Sequence, residues 1–288
     1  GNDAISVARA ATTAVTGLGG TTVNVVAASE NLQVSAGLGD DTITVTGAGG
    51  SALTVDGGLP SASDTLIMQS ASASAAFTVT PGTSADAGSV AMDGSITQFV
   101  GIEAMTLDAG AGAGADSATI NGDGAANQIS FTGTAAGAAT VRVDARATLS
   151  LTGFTAASNV TLAGGDGDDV LSMTPGTATN LTITADAGGP SGSDKVVFNG
   201  TAAADVISDT PDAAIAANGT VVVNGVTTNF VDAESVVING LGGTDAATLN
   251  GTAASDAIVL APTGNAGGSL QVNGSSPLTF LSLETLTV

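Results

Sequence analysis

FVDAESVVI, Phe230 to Ile238, decides how this chain is read, because its pattern returns as VAASENLQV (Val26 to Val34), FVGIEAMTL (Phe99 to Leu107) and FLSLETLTV (Phe280 to Val288). These words hold every glutamate of the sequence, Glu30, Glu103, Glu234 and Glu284. A further copy, FTAASNVTL (Phe154 to Leu162), carries Ser158 in the glutamate position. A second word joins Asn-Gly to a following Asp: NGTAAADVIS (Asn199 to Ser208), NGTAASDAIV (Asn250 to Val259) and, more loosely, INGDGAANQIS (Ile120 to Ser130). Phe230 to Phe280 and Asn199 to Asn250 each step about 50 residues, and a larger step of about 130 joins Asp41 to Asp169, Glu103 to Glu234 and Asp116 to Asp245. The added segments match too, LTVDGGLPSASDTLIM (Leu53 to Met68) against LTITADAGGPSGSDKVVF (Leu181 to Phe198). The chain therefore reads as one repeat array over residues 1–288, with super-repeats at 1–129 and 130–258 and a partial one at 259–288.

The fold class follows from what fills the repeat. Forty-one Gly beside abundant Thr and Val, with few Glu, Lys or Arg, argue for short strands between turns and against helices. Strand-like words such as TITV (Thr42 to Val45), TVRV (Thr140 to Val143), VVFN (Val196 to Asn199) and SLQV (Ser269 to Val272) recur between Gly, Asp and Asn. A unit of about 50 residues is short for a β-sandwich with its own core and suits two solenoid rungs. The expectation is an all-β, right-handed parallel β-solenoid (β-helix) with rungs of about 25 residues, about eleven in all. Small residues would face a narrow interior, Phe99, Phe154, Phe230 and Phe280 would stack as internal fillers, and Asn and Asp turns would form the corners.

Charge limits the partners. Twenty-six acidic residues stand against four basic ones, Arg9, Arg142, Arg146 and Lys195, for a formal charge of −22. Such a surface repels nucleic acid and anionic lipid and attracts divalent cations. The chain has no Cys and no His, which removes disulfides, thiol chemistry, zinc sites and the usual general base. No apolar run reaches the ~18 residues of a transmembrane helix, so membrane insertion is not expected. The first residue is Gly, which reads as a processed chain or an excerpt from a longer one, and the lack of Cys suits an extracellular, cell-surface protein. Enzymatic activity is not expected: a uronate lyase needs a basic residue at the scissile sugar, and the sugar-stacking Trp and Tyr are missing.

GGDGDDVLSM, Gly164 to Met173, fits G-G-x-G-x-D-x-U-x, with U apolar, at Gly164, Gly165, Gly167, Asp169 and Leu171. It resembles the calcium nonapeptide of the haemolysin-type (RTX) proteins. AGLGDDTIT, Ala36 to Thr44, differs only by Ala at the first Gly, and Asp3, Asp64, Asp194, Asp205 and Asp256 keep the D-x-U setting. The resemblance implies Ca²⁺ shared between turn carbonyls and Asp carboxylates of successive rungs, with Asp40, Asp41, Asp168 and Asp169 as ligands and Asp166 as an additional oxygen donor. The alternative is that these Asp accept backbone N–H bonds within the corner. The glutamates have two readings as well, a register-setting bond to the neighbouring rung or a linear acidic site for ions or sugars. One carboxylate per ~50 residues gives no pair at catalytic spacing, which favours register.

Function would then come from length and repetition. The expectation is an extracellular structural protein that self-associates head to tail into a filament or surface layer, with Ca²⁺ as a stabilising ion. The alternative is a calcium-dependent adhesin stalk or glycan-binding module. The ends, GNDAISV and LETLTV, read as uncapped strand edges of the kind that pair end to end.

Overall fold

The structure is a computed structural model of the 288-residue chain. It describes all residues except 19–20, 26–30, 60–62, 111, 156, 177–180 and 190–192, and the backbone alone at 18 and 21–25. Glu30 therefore lies outside the described residues. The chain is all-β. The first strands are β1 (Ala4–Ala8), β2 (Thr13–Leu18), β3 (Thr21–Val25), β4 (Asn31–Ser35), β5 (Thr42–Thr46), β6 (Ala52–Asp56) and β7 (Thr65–Gln69). Next come β8 (Ala76–Pro81), β9 (Gly88–Met92), β10 (Ser95–Val100), β11 (Ala104–Asp108), β12 (Ser117–Asn121), β13 (Gln128–Ala135) and β14 (Ala138–Val143). They are followed by β15 (Thr148–Thr152), β16 (Asn159–Ala163), β17 (Val170–Thr174), β18 (Thr182–Asp186), β19 (Lys195–Asn199), β20 (Val206–Pro211) and β21 (Gly219–Val223). The last are β22 (Val226–Val231), β23 (Ser235–Asn239), β24 (Ala246–Leu249), β25 (Ile258–Pro262), β26 (Gly267–Val272), β27 (Leu278–Leu281) and β28 (Thr285–Thr287).

The chain divides into two compact units, residues 1–121 with 137–158 and residues 122–136 with 159–288. In the first unit one sheet runs β14-β15-β11-β7-β5-β1-β2-β3 and the other β12-β8-β9-β10-β6-β4. In the second, one sheet runs β25-β26-β27-β23-β19-β17-β13 and the other β28-β24-β20-β21-β22-β18-β16. The path alternates between the sheets, as from β5 to β6 to β7, so that parallel neighbours in one sheet are separated by a visit to the other. This is the parallel-dominated, solenoid-like stack expected from the repeat.

Alternation within each strand makes the core. In β5, TITVT, Ile43 and Val45 are fully buried and the Thr residues are partly exposed; β7, β17 and β19 repeat the pattern with Leu66 and Met68, Leu171 and Met173, and Val196 and Phe198. Residues two apart share a face, and β-branched Thr and Val suit the half-exposed one. Phe99, Phe154, Phe230 and Phe280 are buried as expected. Two of them pack on a phenylalanine of another strand word: Phe154 on Phe77 at 6.1 Å and Phe230 on Phe198 at 6.3 Å between ring centres.

The rung length is not uniform. Asp41 bonds Asp64, 23 positions on, and Asp169 bonds Asp194, 25 positions on, which matches the expected rung. Other neighbouring corners lie 38 to 42 positions apart. The extra length is antiparallel: three-stranded meanders β1-β2-β3, β8-β9-β10, β20-β21-β22 and β25-β26-β27, and the antiparallel pair β14–β15, are set into the parallel stack. In the last three of these meanders the second turns are Asp93-Gly94, Asn224-Gly225 and Asn273-Gly274, with both residues at positive φ. Two left-handed residues make the tight turn whose twist matches paired strands. That dipeptide signal stands in the sequence between alternating apolar runs, and it marks the antiparallel strands that a wholly parallel reading omits.

Candidate functional site

The corners at the start of the strands form carboxylate ladders. In the first unit the Asp3 amide donates to Asp41 Oδ1 at 2.5 Å, the Asp41 amide to Asp64 Oδ1 at 2.7 Å, and the Asp64 amide to Glu103 Oε2 at 2.8 Å. A second ladder there runs from the Ala75 amide to Asp116 Oδ1 at 2.9 Å and from the Asp116 amide to Ser158 Oγ at 3.1 Å. In the second unit the Asn127 amide donates to Asp169 Oδ1, the Asp169 amide to Asp194 Oδ1, both at 2.7 Å, and the Asp194 amide to Glu234 Oε2 at 2.9 Å. There too the Asp205 amide donates to Asp245 Oδ1 at 2.8 Å and the Asp245 amide to Glu284 Oε2 at 2.7 Å.

Each ladder thus opens on the first strand of a meander or on β13, passes through D-x-U strands, and closes on the glutamate word or on its serine variant. An amide bonded to a carboxylate is a charge-assisted bond, roughly twice as strong as a neutral one. The closing residue needs the longer glutamate reach at three corners; at the fourth, Ser158 does the same work by also donating to Asp116 Oδ2 at 3.0 Å. The glutamates of the described residues therefore set register between rungs.

Corner glycines make room for this arrangement. A Cβ on Gly57 would lie 2.8 Å from Asp64 Oδ2 and 1.9 Å from the Gly101 carbonyl, and one on Gly240 would lie 2.6 Å from Asp245 Oδ2 and 2.2 Å from the Ser282 carbonyl. The second oxygens of Asp41, Asp64, Asp194 and Asp245 are buried and accept no hydrogen bond among the described residues. Burial, followed by the nearby Glu234, Asp169 and Asp168 charges, raises the Asp194 pKa against the lowering effect of the Asp169 amide.

Of the residues named as calcium ligands, Asp40 and Asp41 belong to the first unit and Asp166, Asp168 and Asp169 to the second. Asp41 and Asp169 are fully buried ladder members, whereas Asp40, Asp166 and Asp168 are exposed. Among the described residues no group of three or more acidic side chains gathers around one point. Ca²⁺ takes six to eight oxygens; at these corners the Oδ1 atoms of Asp41 and Asp169 accept rung amides.

Two further features were not legible beforehand. Asp209 on β20 is 6% exposed, with Oδ1 buried and unbonded, and burial pushes its pKa up to about 7 despite the Thr210 backbone contact. It occupies the inward position that Val79 fills on β8. Second, β25 exposes Ile258, Val259 and Leu260 at 42%, 64% and 45%. No helix of the described residues is long and apolar enough to cross a membrane. Compared with known proteins, the chain matches no family model and no curated sequence.

Proposed function

We propose that this protein is an extracellular structural element, a subunit that stacks head to tail in a filament or surface layer. The observation that carries the reading is the ladder itself: each corner presents an amide on one side and a carboxylate on the other, so the stack extends by adding rungs of the same kind. Divalent cations enter as counter-ions at the exposed Asp40, Asp166 and Asp168, where a formal charge of −22 would otherwise oppose association. These exposed carboxylates also favour the second reading, a calcium-dependent adhesin stalk or glycan-binding module.

Negative-stain electron microscopy of the purified protein in about 5–10 mM Ca²⁺, a level that saturates weak extracellular sites, and again in chelator tests both. Fibres or sheets in both conditions support the assembly reading with the carboxylates as structural corners, and fibres that dissolve in chelator add the cation role. Separate particles in both conditions overturn the assembly reading, and glycan-array binding that requires Ca²⁺ would then establish the second.

A further inference from the structure

Asp209 lines a cavity of about 10 Å³ inside the second unit. Phe230, Leu270 and Leu278 are its apolar walls, Asn218 lines it from the segment between β20 and β21, and Ser276 lines it from residues 273–277, the turn between β26 and β27. The Asp209 side is fixed, since β20 pairs with both β21 and β24 and Asp209 stands opposite Val221 and Leu249. The 273–277 turn is held across the cavity by a few neutral bonds. The Ser276 amide donates to the Ala216 carbonyl at 2.9 Å, the Ser276 hydroxyl donates to the same carbonyl at 3.2 Å and to that of Ala233, and the Val236 amide donates to the Pro277 carbonyl at 3.1 Å.

The first unit has the same cavity, of about 30 Å³, without the carboxyl group. There Val79 stands in the place of Asp209, and Ala147 in the place of Ser276, with its amide on the Ala85 carbonyl. The neighbouring Arg146 clamps that turn, its guanidinium donating to the Gly82 and Ser84 carbonyls at 2.9 and 3.0 Å. A bond from a charged donor is roughly twice as strong as a neutral one. The cavity with the ionisable group therefore has the weaker closure.

No positive charge compensates Asp209. The strands around it, β21, β22, β23, β24, β26 and β27, carry no charged residue. The segments that join them bring only further acids, Asp205, Asp212, Asp232, Glu234, Asp245 and Asp256. Burial, the larger cause, raises the Asp209 pKa to about 7 against the opposing Thr210 backbone contact. An ionised carboxylate in such a place has lost its water with nothing to replace it.

We infer that residues 273–277 form a pH-gated strap: ionisation of Asp209 releases Ser276 from Ala216 and Ala233, and water enters the cavity to meet the carboxylate. The strap yields before the strand walls because fewer bonds hold it. Linkage gives the direction. With the strap open, Asp209 meets water and titrates near the ordinary 3.8, so opening releases a proton between that value and about 7. The strap is closed at acid pH; opening becomes about tenfold easier per pH unit across that window and levels off above it. Opening uncovers Phe230, Leu270 and Leu278. The device stands whether or not copies of the protein assemble.

Hydrogen exchange of the full 288-residue protein, corrected for the intrinsic pH dependence of amide exchange, tests the strap. The opening constant at the Ser276 amide should rise about tenfold per pH unit between pH ~5 and ~6.5. Core amides of β19 should stay at least about tenfold better protected, as expected for a local opening, and the Ala147 amide of the first unit should show no such rise. Asp209→Val, which copies Val79, and Asp209→Asn should each remove the pH dependence at Ser276; circular dichroism checks that both variants fold. A Ser276 opening constant that is flat over this range, or that rises equally in the variants or at Ala147, overturns the proposal. Exchange at Ser276 no faster than in the β19 core would mean that only global unfolding exposes Asp209, and overturns it as well.

Discussion

The Asp64 amide donates to Glu103 Oε2 at 2.8 Å, and Asp64 in turn accepts the Asp41 amide at 2.7 Å, so one carboxylate closes a ladder that spans three rung-to-rung steps. Removing the closing acceptor strands a part-buried amide. Glu103→Ala should lower stability by about 1–3 kcal/mol, whereas Glu103→Gln, which keeps an acceptor oxygen, should cost about half as much or less. Urea unfolding of both variants, followed by the loss of β circular dichroism, checks the order.

Gly57 has no room for a methyl group. Gly57→Ala places a Cβ 1.9 Å from the Gly101 carbonyl and against Asp64, so the corner must move, at a cost of about 2–3 kcal/mol. Gly124, which has open space around its Cβ position, should accept Ala with a change within about 0.5 kcal/mol. Thermal unfolding of the pair separates a steric requirement from a general preference for Gly in turns.

Asp209 makes stability depend on pH in a stated direction. Its folded pKa, about 7, lies above the ordinary value of 3.8. The folded state therefore keeps a proton that the unfolded chain releases between those values, and the stability so provided is present below pH ~4 and lost as pH rises through ~7. Asp209→Asn or Asp209→Val should flatten this slope and stabilise the protein at pH 8 by up to about 4 kcal/mol. Equal slopes of unfolding free energy against pH in parent and variant would show that Asp209 does not carry the effect.

Asn224 and Asp205 form a matched pair, the amide donating to the carboxylate. At the equivalent turn of the first unit the residue is Asp93, and the position corresponding to Asp205 is Ala75, with no charge to meet. Asn224→Asp should therefore destabilise the protein at neutral pH by about 1–2 kcal/mol through lost donation and like-charge repulsion. Urea unfolding of parent and variant at pH 7 checks the loss.

Much of this architecture was legible from the residues. The all-β class follows from Gly, Thr and Val composition, the inward and outward faces from alternation in words such as TITV and VVFN, and the ladder positions from the recurrence of D-x-U and of Glu103, Glu234 and Glu284. Ser158 stands in the glutamate position of its word, but its role as a ladder end rests on its bonds to Asp116. Asp209 was not legible, since a single acidic residue in ISDTP has the same local sequence whether it faces water or the core.

The sequence by itself determined which residues are strand, which are turn, and which carboxylates recur at each corner, because period-two alternation, Gly and Asn turn chemistry and repeat spacing are local properties. The tertiary structure alone decided how the strands pair. Alternation is the same for parallel and antiparallel neighbours, so the insertion of antiparallel meanders between parallel strands, and the strand each carboxylate reaches, depend on contacts between residues some 40 positions apart.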